Sequence, residues 1–308
     1  MKKIAFIFPG QGSQSIGMGK EFYESSEIAR EMVEAAGERI KTDFAKLLFE
    51  ENDLLEQTAY TQPAILLVSA IAHRLFENEM EIKPILSLGH SLGEFSALVS
   101  VGALDAIDGV GLVHQRGKLM QQACEGIDAG MMALIGLGDE KVEEITAKAR
   151  EEGKKVWPAN YNSDGQIVAA GIKSDLAALE PVFKEAGAKR ALLLNMSVAS
   201  HCPLLQPAVE PLRAELEERL QNEFTAPVVS NVTAQKYSTK SDAVSLLAEQ
   251  LIKPVLYKQS IQSVENDVDL FIEFGGSVLK GLNRRNTKKP TLSITDMVTL
   301  EKVFEEIA

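Results

Sequence analysis

The sequence predicts an α/β protein with two domains, a large one built on a central parallel sheet and a small one inserted into it. Continuous apolar runs such as Lys3–Phe8 are typical of strands buried between helices. The order of elements changes between residues 128 and 196, where strands and helices follow a different rhythm. With 308 residues, 45% of them hydrophobic, the chain can bury one large core and a smaller second one.

The large domain is predicted to occupy residues 1–127 and 197–308. Its helices are expected over Gly19–Leu48, Gln62–Asn78, Asp105–Glu125, Pro203–Gln221 and Ser241–Ile252. Its strands are expected at Lys3–Phe8, Ile85–Leu88, Val228–Ser230, Leu270–Phe274 and Thr291–Ser293. In the second helix, Thr61 is expected as the N-cap and Pro63 in the first turn, because helix starts favour these residues.

Residues 128–196 are predicted to form the small domain. Its strands are expected at Met131–Leu137, Val156–Asn160, Gln166–Ala170 and Lys189–Leu194, and its helices at Glu140–Glu151 and Leu176–Glu185. An Asn-Ser-Asp-Gly turn is expected between the two middle strands. Because this βαββαβ order is that of the ferredoxin-like fold, we expect an inserted ferredoxin-like domain.

A G-x-S-x-G motif lies at Gly89–Gly93, in the context that a nucleophilic serine requires. A short apolar strand precedes it, and a helix with an apolar stripe follows. The flanking glycines lack a Cβ, so the chain can turn sharply and expose the Ser91 hydroxyl. The helix start adds unpaired N–H groups and a positive dipole end beside that oxygen. Ser91 is therefore a candidate nucleophile, and the large domain is expected to be α/β-hydrolase-like.

The loop Pro9–Gln14 follows the first strand and is rich in glycine. A dinucleotide-binding fingerprint would need glycine where Ser15 stands, and a nucleotide-binding loop would need lysine where Met18 stands. Both interpretations fail. Two remain: an ordinary strand-to-helix turn, or a loop whose backbone amides face the same site as Ser91.

A serine nucleophile needs a base, usually a histidine, within hydrogen-bond distance. Of the four histidines, His73 and His114 lie in predicted helices, and His90 stands in a turn where adjacent side chains diverge. His201, in a polar loop at the predicted domain junction, is the candidate base; the alternative is a residue that only starts a helix. No acidic residue stands out as its orienting partner, but oxygens near Gln250 could serve.

Arg116 lies on the apolar face of the predicted helix Asp105–Glu125. Leu112, Leu119 and Ala123 recur with it at spacings of three and four residues, which places them on one helical face. An arginine that points into the core must be paired or must bind an anion. The alternative is a surface arginine whose aliphatic stem covers apolar residues.

Charge and cysteine content exclude several classes of function. The net charge of −12 argues against general nucleic-acid binding, which needs a basic surface. The two cysteines, Cys124 and Cys202, give neither a disulfide framework nor metal-ligand spacing, and their scarcity suits a reducing cytoplasm. The longest apolar stretch, Ala64–Ala72, is too short to cross a membrane, and the first apolar run is too short for a secretion signal. We therefore expect a cytoplasmic protein without a metal. Cys202 lacks a turn like that around Ser91, so it is not a candidate nucleophile.

Six motifs follow one another along the chain. They are FPGQGSQ at Phe8–Gln14, GHSLGE at Gly89–Glu94, QRG at Gln115–Gly117, ANYNS at Ala159–Ser163, SVASHC at Ser197–Cys202 and QLIKPV at Gln250–Val255. In content and order they resemble the malonyl-CoA:acyl carrier protein transacylases of bacterial fatty acid synthesis, over essentially the full length. FPGQGSQ together with GHSLGE is far more specific than either motif alone.

The resemblance implies an acyltransferase with ping-pong kinetics and no metal or redox cofactor. Ser91 would attack the malonyl thioester and form a malonyl-serine ester. His201 would act as base and then as acid, held by the backbone carbonyl of Gln250. The backbone N–H groups of Gln11 and Leu92 would form the oxyanion hole, which gives the glycine-rich first loop a role.

The resemblance also implies the substrates and the residues that bind them. Arg116 would bind the malonyl carboxylate with its bidentate fork, and Asn160 and Asn162 would line the cleft. The substrates would be malonyl-CoA and the phosphopantetheine thiol of acyl carrier protein. The protein is expected to be a monomer that binds neither nucleic acid nor a membrane.

Carrier proteins are acidic, so a chain that is itself negative would need a local basic surface to bind one. Two segments are candidates, Arg284-Arg285 with Lys288-Lys289, and Lys184 with Lys189-Arg190. The alternative for both is an ordinary solvated surface.

Two stretches depart from the family pattern. The sequence Glu273-Phe274-Gly275-Gly276-Ser277 lacks the proline that usually follows the first glycine, which is expected to alter a turn and not the chemistry. The tetrapeptide Val198-Ala199-Ser200-His201 matches neither of the sequences that mark malonyl or methylmalonyl choice in related synthase domains. The preference between these two acyl groups therefore stays open.

Two other functions share part of this set of residues. A serine esterase or thioesterase would have the serine motif and the histidine, but it would need an acidic triad member and would not need Arg116. A non-catalytic subunit that binds acyl carriers would have no need of Ser91, His201, Gln11 and Arg116 together.

Overall fold

The computed structural model describes residues 2–307 and contains two separate β-sheets. The strands are β1 (Ile4–Phe8), β2 (Leu86–Gly89), β3 (Ala129–Ile135), β4 (Val156–Ser163), β5 (Gln166–Ile172), β6 (Arg190–Leu193), β7 (Val228–Val229), β8 (Lys236–Tyr237), β9 (Leu270–Phe274) and β10 (Thr291–Ile294). The first sheet has the order β10-β9-β1-β2-β7-β8, and its pairs are parallel except β7 with β8. The predicted central parallel sheet is confirmed.

Helices surround both sheets. They are α1 (Lys20–Ser25), α2 (Glu27–Ile40), α3 (Phe44–Phe49), α4 (Thr58–Glu79), α5 (Gly93–Ser100), α6 (Ala106–Ala123), α7 (Asp139–Glu151), α8 (Lys173–Glu185), α9 (Gln206–Arg219), α10 (Lys240–Gln250), α11 (Tyr257–Val264), α12 (Val278–Asn286) and α13 (Met297–Ile307). A 3₁₀ turn, Pro203–Leu205, precedes α9.

Both faces of the first sheet are covered, which explains why β1 is apolar at every position. Phe6 and Phe8 point into the largest core, which includes residues of α4 and α5. Ala5 and Ile7 point to the opposite face, where they pack with residues of α11 and α12. The carboxyl end of β2 therefore emerges between two packed layers, and the G-x-S-x-G turn begins there.

The second sheet has the antiparallel order β4-β5-β3-β6, with α7 and α8 packed against it. This is the βαββαβ arrangement expected from the sequence. The turn between the middle strands is shorter than predicted, because β4 continues to Ser163 and leaves only Asp164 and Gly165 between the strands. The domain limits at residues 128 and 196 stay a prediction.

A short stretch of backbone joins the small sheet to the large one. The Tyr161 N–H donates to the Val255 carbonyl over 2.9 Å, and the Val255 N–H donates to the Ala159 carbonyl over 2.8 Å. The segment after α10 thus runs parallel to β4 and adds a bridge to it. This bridge fixes β4, and the asparagines on it, relative to the end of α10.

The predicted helical segment Gly19–Leu48 is helical over most of its length and consists of three helices, α1, α2 and α3. Ser26 and Asp43 accept hydrogen bonds from backbone N–H groups three residues further on and so start α2 and α3. Between these two helices Lys41 adopts a left-handed conformation with φ of 55°. Polar caps therefore divide the segment into separate helices.

The start of α4 also differs from the prediction. Its first residue is Thr58, so Thr61 is not the N-cap and Pro63 lies inside the helix. A proline has no N–H, which leaves the Ala59 carbonyl without its helical donor. His114 on α6 supplies one, because its Nδ1 lies 2.6 Å from that oxygen. The tertiary contact makes an internal proline acceptable.

Candidate active site

Ser91 sits in a strained turn between β2 and α5. Its φ of 53° is left-handed, a conformation that is rare for residues other than glycine. The neighbouring glycines make the turn possible: a Cβ on Gly89 would lie 1.9 Å from the Gly93 carbonyl carbon, and a Cβ on Gly93 would lie 2.0 Å from the Phe8 carbonyl oxygen. The turn holds Ser91 just beyond the carboxyl end of β2, where it lines a cavity.

His201 lies beside this serine. Its Nε2 is 2.7 Å from the Ser91 Oγ, and its Nδ1 is 2.7 Å from the backbone carbonyl of Gln250. A carbonyl only accepts, so Nδ1 carries the proton and Nε2 is free to accept the Ser91 proton. Burial, aided by the nearby charge of Arg116, lowers the pKa of His201 to about 3. The histidine is thus a neutral base at physiological pH.

Arg116 is buried, so it is the inward-pointing arginine that the helical pattern predicted and not a surface arginine. Its Nη2 lies 3.3 Å from the Ser91 Oγ and 3.0 Å from the Gln250 Oε1, and its Nη1 lies 2.7 Å from the Gln62 Oε1. Its Cζ stands 5.2 Å from the centre of the Phe95 ring. Within residues 2–307 its Nε has no hydrogen-bond partner. A fully buried guanidinium with unused donor capacity beside a serine is suited to binding an anionic group.

Gln250, at the end of α10, contacts nearly every polar group of the site. Besides its carbonyl, which accepts from His201, its Oε1 accepts from Arg116. Its Nε2 donates to the Ser91 carbonyl over 3.1 Å and to the Glu94 Oε2 over 2.8 Å. The sequence predicted only a role for its oxygens toward the histidine. The side-chain amide of Gln250 also contacts Arg116, the Ser91 carbonyl and the buried Glu94 carboxylate.

Gln11 and Leu92 line the same cavity as Ser91. Gly10 packs against the His90 carbonyl, where a Cβ would lie only 2.3 Å from the oxygen, so the first loop and the nucleophile turn are in direct contact. Among the described residues, the backbone N–H groups of Gln11 and Leu92 donate to no protein acceptor. The first loop therefore lies beside the turn that carries Ser91, and the oxyanion role of its amides stays a prediction.

The cavity has a volume of about 130 Å³. Its polar lining comes from Ser91, His201, Arg116 and their neighbours. Its apolar lining comes from Met120, Met131, Val168, Leu194 and Met196. The lining residues come from the second sheet, from α4 and α6, from the turns after β1 and β2, and from the segment between β6 and the 3₁₀ turn. The site is therefore a cleft between the second sheet and the turns at the carboxyl ends of β1 and β2, with a cation at one wall and apolar side chains at another.

Asn160 and Asn162 reach the cleft from β4. Asn162 Oδ1 lies 2.7 Å from the His90 Nε2, and the Asn162 carbonyl accepts a hydrogen bond from Asn286. His90 is thus engaged away from the serine, as expected for a residue that packs and does not act as the base. The side chain of Asn160 borders the cavity without a protein partner among the described residues.

Two buried residues behind the turn, Glu94 and Asn231, were not predicted from the sequence as part of the site. The Glu94 carboxylate accepts from the Asn231 N–H over 3.0 Å and from the Tyr237 hydroxyl over 3.0 Å. Burial raises the pKa of Glu94 to about 7, although these hydrogen bonds and the charge of Arg116 favour its ionised form. Glu94 belongs to the GHSLGE motif, which offered a signal. Asn231 follows a two-residue strand and has none.

Neither cysteine takes part in the site. Cys202 follows the histidine but is buried, and its thiol donates to the Ala199 carbonyl. Burial raises its pKa to about 12, so it remains a thiol. Over residues 2–307 there is no cluster of three histidine, cysteine or acidic side chains that could hold a metal ion. In the same range, no helix has the length and apolarity needed to cross a membrane.

A serine hydroxyl hydrogen-bonded to a neutral histidine, with unpaired backbone amides nearby, is the arrangement of an acyl-transfer site. Residues 5–285 match the family described as the acyl transferase domain. The protein is an acyltransferase.

Individual relatives define the family further. The malonyl CoA-acyl carrier protein transacylase of Bacillus subtilis is 40% identical over 311 residues, covering 100% of this chain and 98% of the relative. A crystal structure of malonyl-CoA:acyl carrier protein transacylase from Helicobacter pylori is 48% identical, covers 100% of this chain and 99% of its own, and superposes with a TM-score of 0.97. This chain belongs to the malonyl-CoA:acyl carrier protein transacylase family, and the resemblance found in its motifs is confirmed.

Proposed function

We propose that this protein transfers the malonyl group from malonyl-CoA to the phosphopantetheine thiol of acyl carrier protein, and so supplies extender units for fatty acid synthesis. The transfer passes through a malonyl ester on Ser91. The observation that carries the proposal is the 3.3 Å distance between the Arg116 guanidinium and the Ser91 Oγ. A buried cation at that distance from the nucleophile favours an acyl group that ends in a carboxylate.

The first half-reaction uses the serine and the histidine. Ser91 Oγ attacks the thioester carbonyl while its proton passes to His201 Nε2, across their 2.7 Å hydrogen bond. The developing oxyanion is stabilised by the free backbone N–H groups of Gln11 and Leu92. His201 then protonates the departing coenzyme A thiolate, and the malonyl group remains on Ser91 as an ester.

The second half-reaction reverses these roles. His201 takes the proton of the incoming carrier thiol, whose sulfur attacks the ester carbonyl, and then returns the proton to Ser91. No carboxylate is needed for this base, because the Gln250 carbonyl fixes its tautomer over 2.7 Å. The absence of an acidic partner at His201 Nδ1 argues against the esterase alternative.

Arg116 selects the acyl group. In the structure its Nη2 bridges the serine and Gln250, and its Nε stays free within residues 2–307, so a carboxylate can be bound by two parallel N–H groups. An acetyl group would leave this buried charge without an anion, a loss of about 2–5 kcal/mol. Malonyl is therefore the preferred acyl group.

Acyl carrier protein is the proposed second partner. A solved complex of a malonyl-transacylase with a type II PKS acyl-carrier protein is 33% identical to this chain, covers 99% of both chains and has a TM-score of 0.93. Arg284 and Arg285 are exposed on α12, directly before Asn286, which contacts the cleft residue Asn162. Their position beside the cleft and their charge fit an acidic carrier. We further propose a cytoplasmic monomer without cofactor, nucleic-acid or membrane binding.

One labelling experiment separates the candidate functions. The protein is incubated with radiolabelled malonyl-CoA, and thiol-bearing carrier protein is then added. Transfer predicts label on Ser91 that moves to the carrier. Label released as free malonate would indicate a hydrolase, and no label would indicate a non-catalytic subunit. Ser91→Ala should hold no label, whereas Cys202→Ser should load normally.

A further inference from the structure

Glu94 is a fully buried carboxylate that the reaction steps do not use. It lies on the first turn of α5, three residues after the nucleophile. Its Oε2 accepts two hydrogen bonds, from the Asn231 N–H over 3.0 Å and from the Gln250 Nε2 over 2.8 Å. Its Oε1 accepts a third from the Tyr237 hydroxyl over 3.0 Å. A buried charge with this many donors fixes the orientation of every group that donates to it.

Asn231 links Glu94 to the turn Gly89–Gly93, which carries Ser91. The Ser91 N–H donates to the Asn231 Oδ1 over 2.6 Å, and the Asn231 Nδ2 donates to the Gly89 carbonyl over 2.7 Å. One amide thus joins both sides of the turn whose serine is left-handed. Such a conformation persists only where the surroundings determine it, and Asn231 supplies that determination.

Gln250 passes the constraint to the arginine. Its Nε2 faces Glu94, so its Oε1 must face the other way, toward the Arg116 Nη2 at 3.0 Å. A glutamine amide can be rotated by half a turn with little cost in shape. Rotated, its NH₂ would face the guanidinium and donor would meet donor. In its ionised form the carboxylate opposes that rotation together with the Ser91 carbonyl, because both can only accept.

We propose that Glu94 is a positioning residue that selects the orientation of the Gln250 amide, and with it the placement of Arg116 for the acyl carboxylate. Through Asn231 it also braces the turn that carries Ser91. The contacts of Glu94 through Gln250 and those through Asn231 form two branches, and the two have different consequences. The Gln250 branch controls which acyl group is loaded, and the Asn231 branch controls how fast any acyl group is loaded. This inference rests on the proposed malonyl transfer.

Three variants test the two branches by single-turnover loading with malonyl-CoA and with acetyl-CoA, and a fourth variant is the control. Glu94→Ala removes both branches and is expected to slow malonyl loading at least about 100-fold and to lower the malonyl-to-acetyl ratio about tenfold. Asn231→Ala removes the brace and, toward Gln250, only a long 3.4 Å contact with Nε2, so both loading rates should fall together and the ratio should change little. Glu94→Gln can still accept from Asn231 and Gln250 and should restore most of the rate, but the ratio should remain about threefold low because an uncharged acceptor holds the amide less firmly.

Glu273→Gln is the matched control. Glu273 is another fully buried carboxylate, but it accepts from the Leu279 and Lys280 N–H groups at the start of α12. Its loss should lower the melting temperature without changing the malonyl-to-acetyl ratio. An unchanged ratio in both Glu94 variants would overturn the proposal, and if Glu94→Ala does not fold, Glu94→Gln decides alone. A wild-type protein that loads no malonyl would instead refute the proposed function.

Discussion

Arg116 is the residue that most narrows the chemistry of the site. A guanidinium without solvent contact is costly unless its donors are used, and protein oxygens satisfy only part of them. Arg116 also lines the cavity that holds Ser91. At the scale of single residues, we therefore propose that the arginine selects the acyl group and that the serine–histidine pair carries out the transfer.

Removing this cation should change the preferred acyl group. We expect Arg116→Ala to lower kcat/KM for malonyl-CoA about 30-fold or more, because the buried malonyl carboxylate loses its partner. Acetyl-CoA makes no such contact, so its loading should change much less. Competition between the two labelled thioesters measures the ratio. An unaltered malonyl preference in Arg116→Ala would refute the selection role.

His201 should give the reaction an unusual tolerance of acid. Burial and the nearby Arg116 lower its pKa to about 3, so it stays neutral and able to accept a proton well below the ordinary histidine value near 6.5. We expect kcat/KM for malonyl loading to stay level as the pH falls through 6.5 and to decline only at distinctly lower pH. The pH profile of single-turnover loading measures this. An apparent pKa near 6.5 would contradict the expectation.

Sequence alone could indicate Ser91, His201 and Arg116, because each stands in a local pattern: a glycine-flanked turn, a polar loop at a junction, and an apolar helical face. It could not indicate Asn231 or the side-chain role of Gln250. Their function depends on contacts with residues 140 and 159 positions away, and no local pattern encodes such a contact. The roles of all the candidate site residues stay predictions: Ser91, His201, Arg116, Gln250, Gln11, Leu92, Asn160 and Asn162.

The turn between β2 and α5 is the element whose geometry is least tolerant of change. Backbone atoms of β1 and of α5 itself pack directly against Gly89 and Gly93, leaving no space for a side chain. Both glycines are therefore required for packing. Because the contacting atoms are backbone, they cannot rotate away as a side chain could.

We expect Gly93→Ala to lower the free energy of unfolding by at least about 3 kcal/mol, because its Cβ would lie 2.0 Å from the Phe8 carbonyl oxygen. Gly281 is the matched control, since it lies inside α12 with no atom within 4 Å of an added Cβ. Gly281→Ala should raise stability by about 0.5–1 kcal/mol. Chemical denaturation measures both changes. Equal stability of the two variants would refute the packing argument.

Most long elements of the fold could be predicted, and the errors have identifiable causes. The five large-domain strands and the small βαββαβ unit follow from apolar runs and turn residues. The helices α11, α12 and α13 were missed. The first two have no side-chain cap at their start and at most nine residues each, whereas α13 has 11 residues and follows Asp296, whose carboxylate accepts from the Thr299 N–H. The helical segment expected over Gly19–Leu48 is divided into three helices by internal caps. Short elements depend on tertiary packing more than on local sequence.

At the scale of the whole molecule, charge must be arranged locally for an acidic chain to bind an acidic partner. Arg284 and Arg285 are exposed and form no ion pair within residues 2–307, and the same holds for Lys189 and Arg190. Lys184 is less available, because it pairs with Glu180. One candidate segment lies beside Asn286 on α12, which contacts the cleft residue Asn162. The other lies at the start of β6.

Reversing the charge of a docking segment should separate the two half-reactions. We expect Arg284→Glu with Arg285→Glu to raise the KM for carrier protein about tenfold while loading from malonyl-CoA stays nearly unchanged. Lys83→Glu is the control, because Lys83 precedes the amino end of β2, whereas Ser91 follows its carboxyl end. Steady-state rates at several salt concentrations measure the effect. A parallel loss of both half-reactions would refute docking at this segment.

The hydrogen bonds that complete the Ser91 turn also set when the enzyme can first act during its own synthesis. The serine leaves the ribosome long before Asn231 and Gln250, and Gln250 is 159 residues further along. At about 5–20 residues per second, translation needs roughly 10–30 seconds to cover that interval. For that time the nascent chain carries a hydroxyl with no anchored base, no brace and no amide to orient the arginine. We therefore expect acyl transfer to begin only after the segment that carries Asn231 and Gln250 has folded against the Ser91 turn.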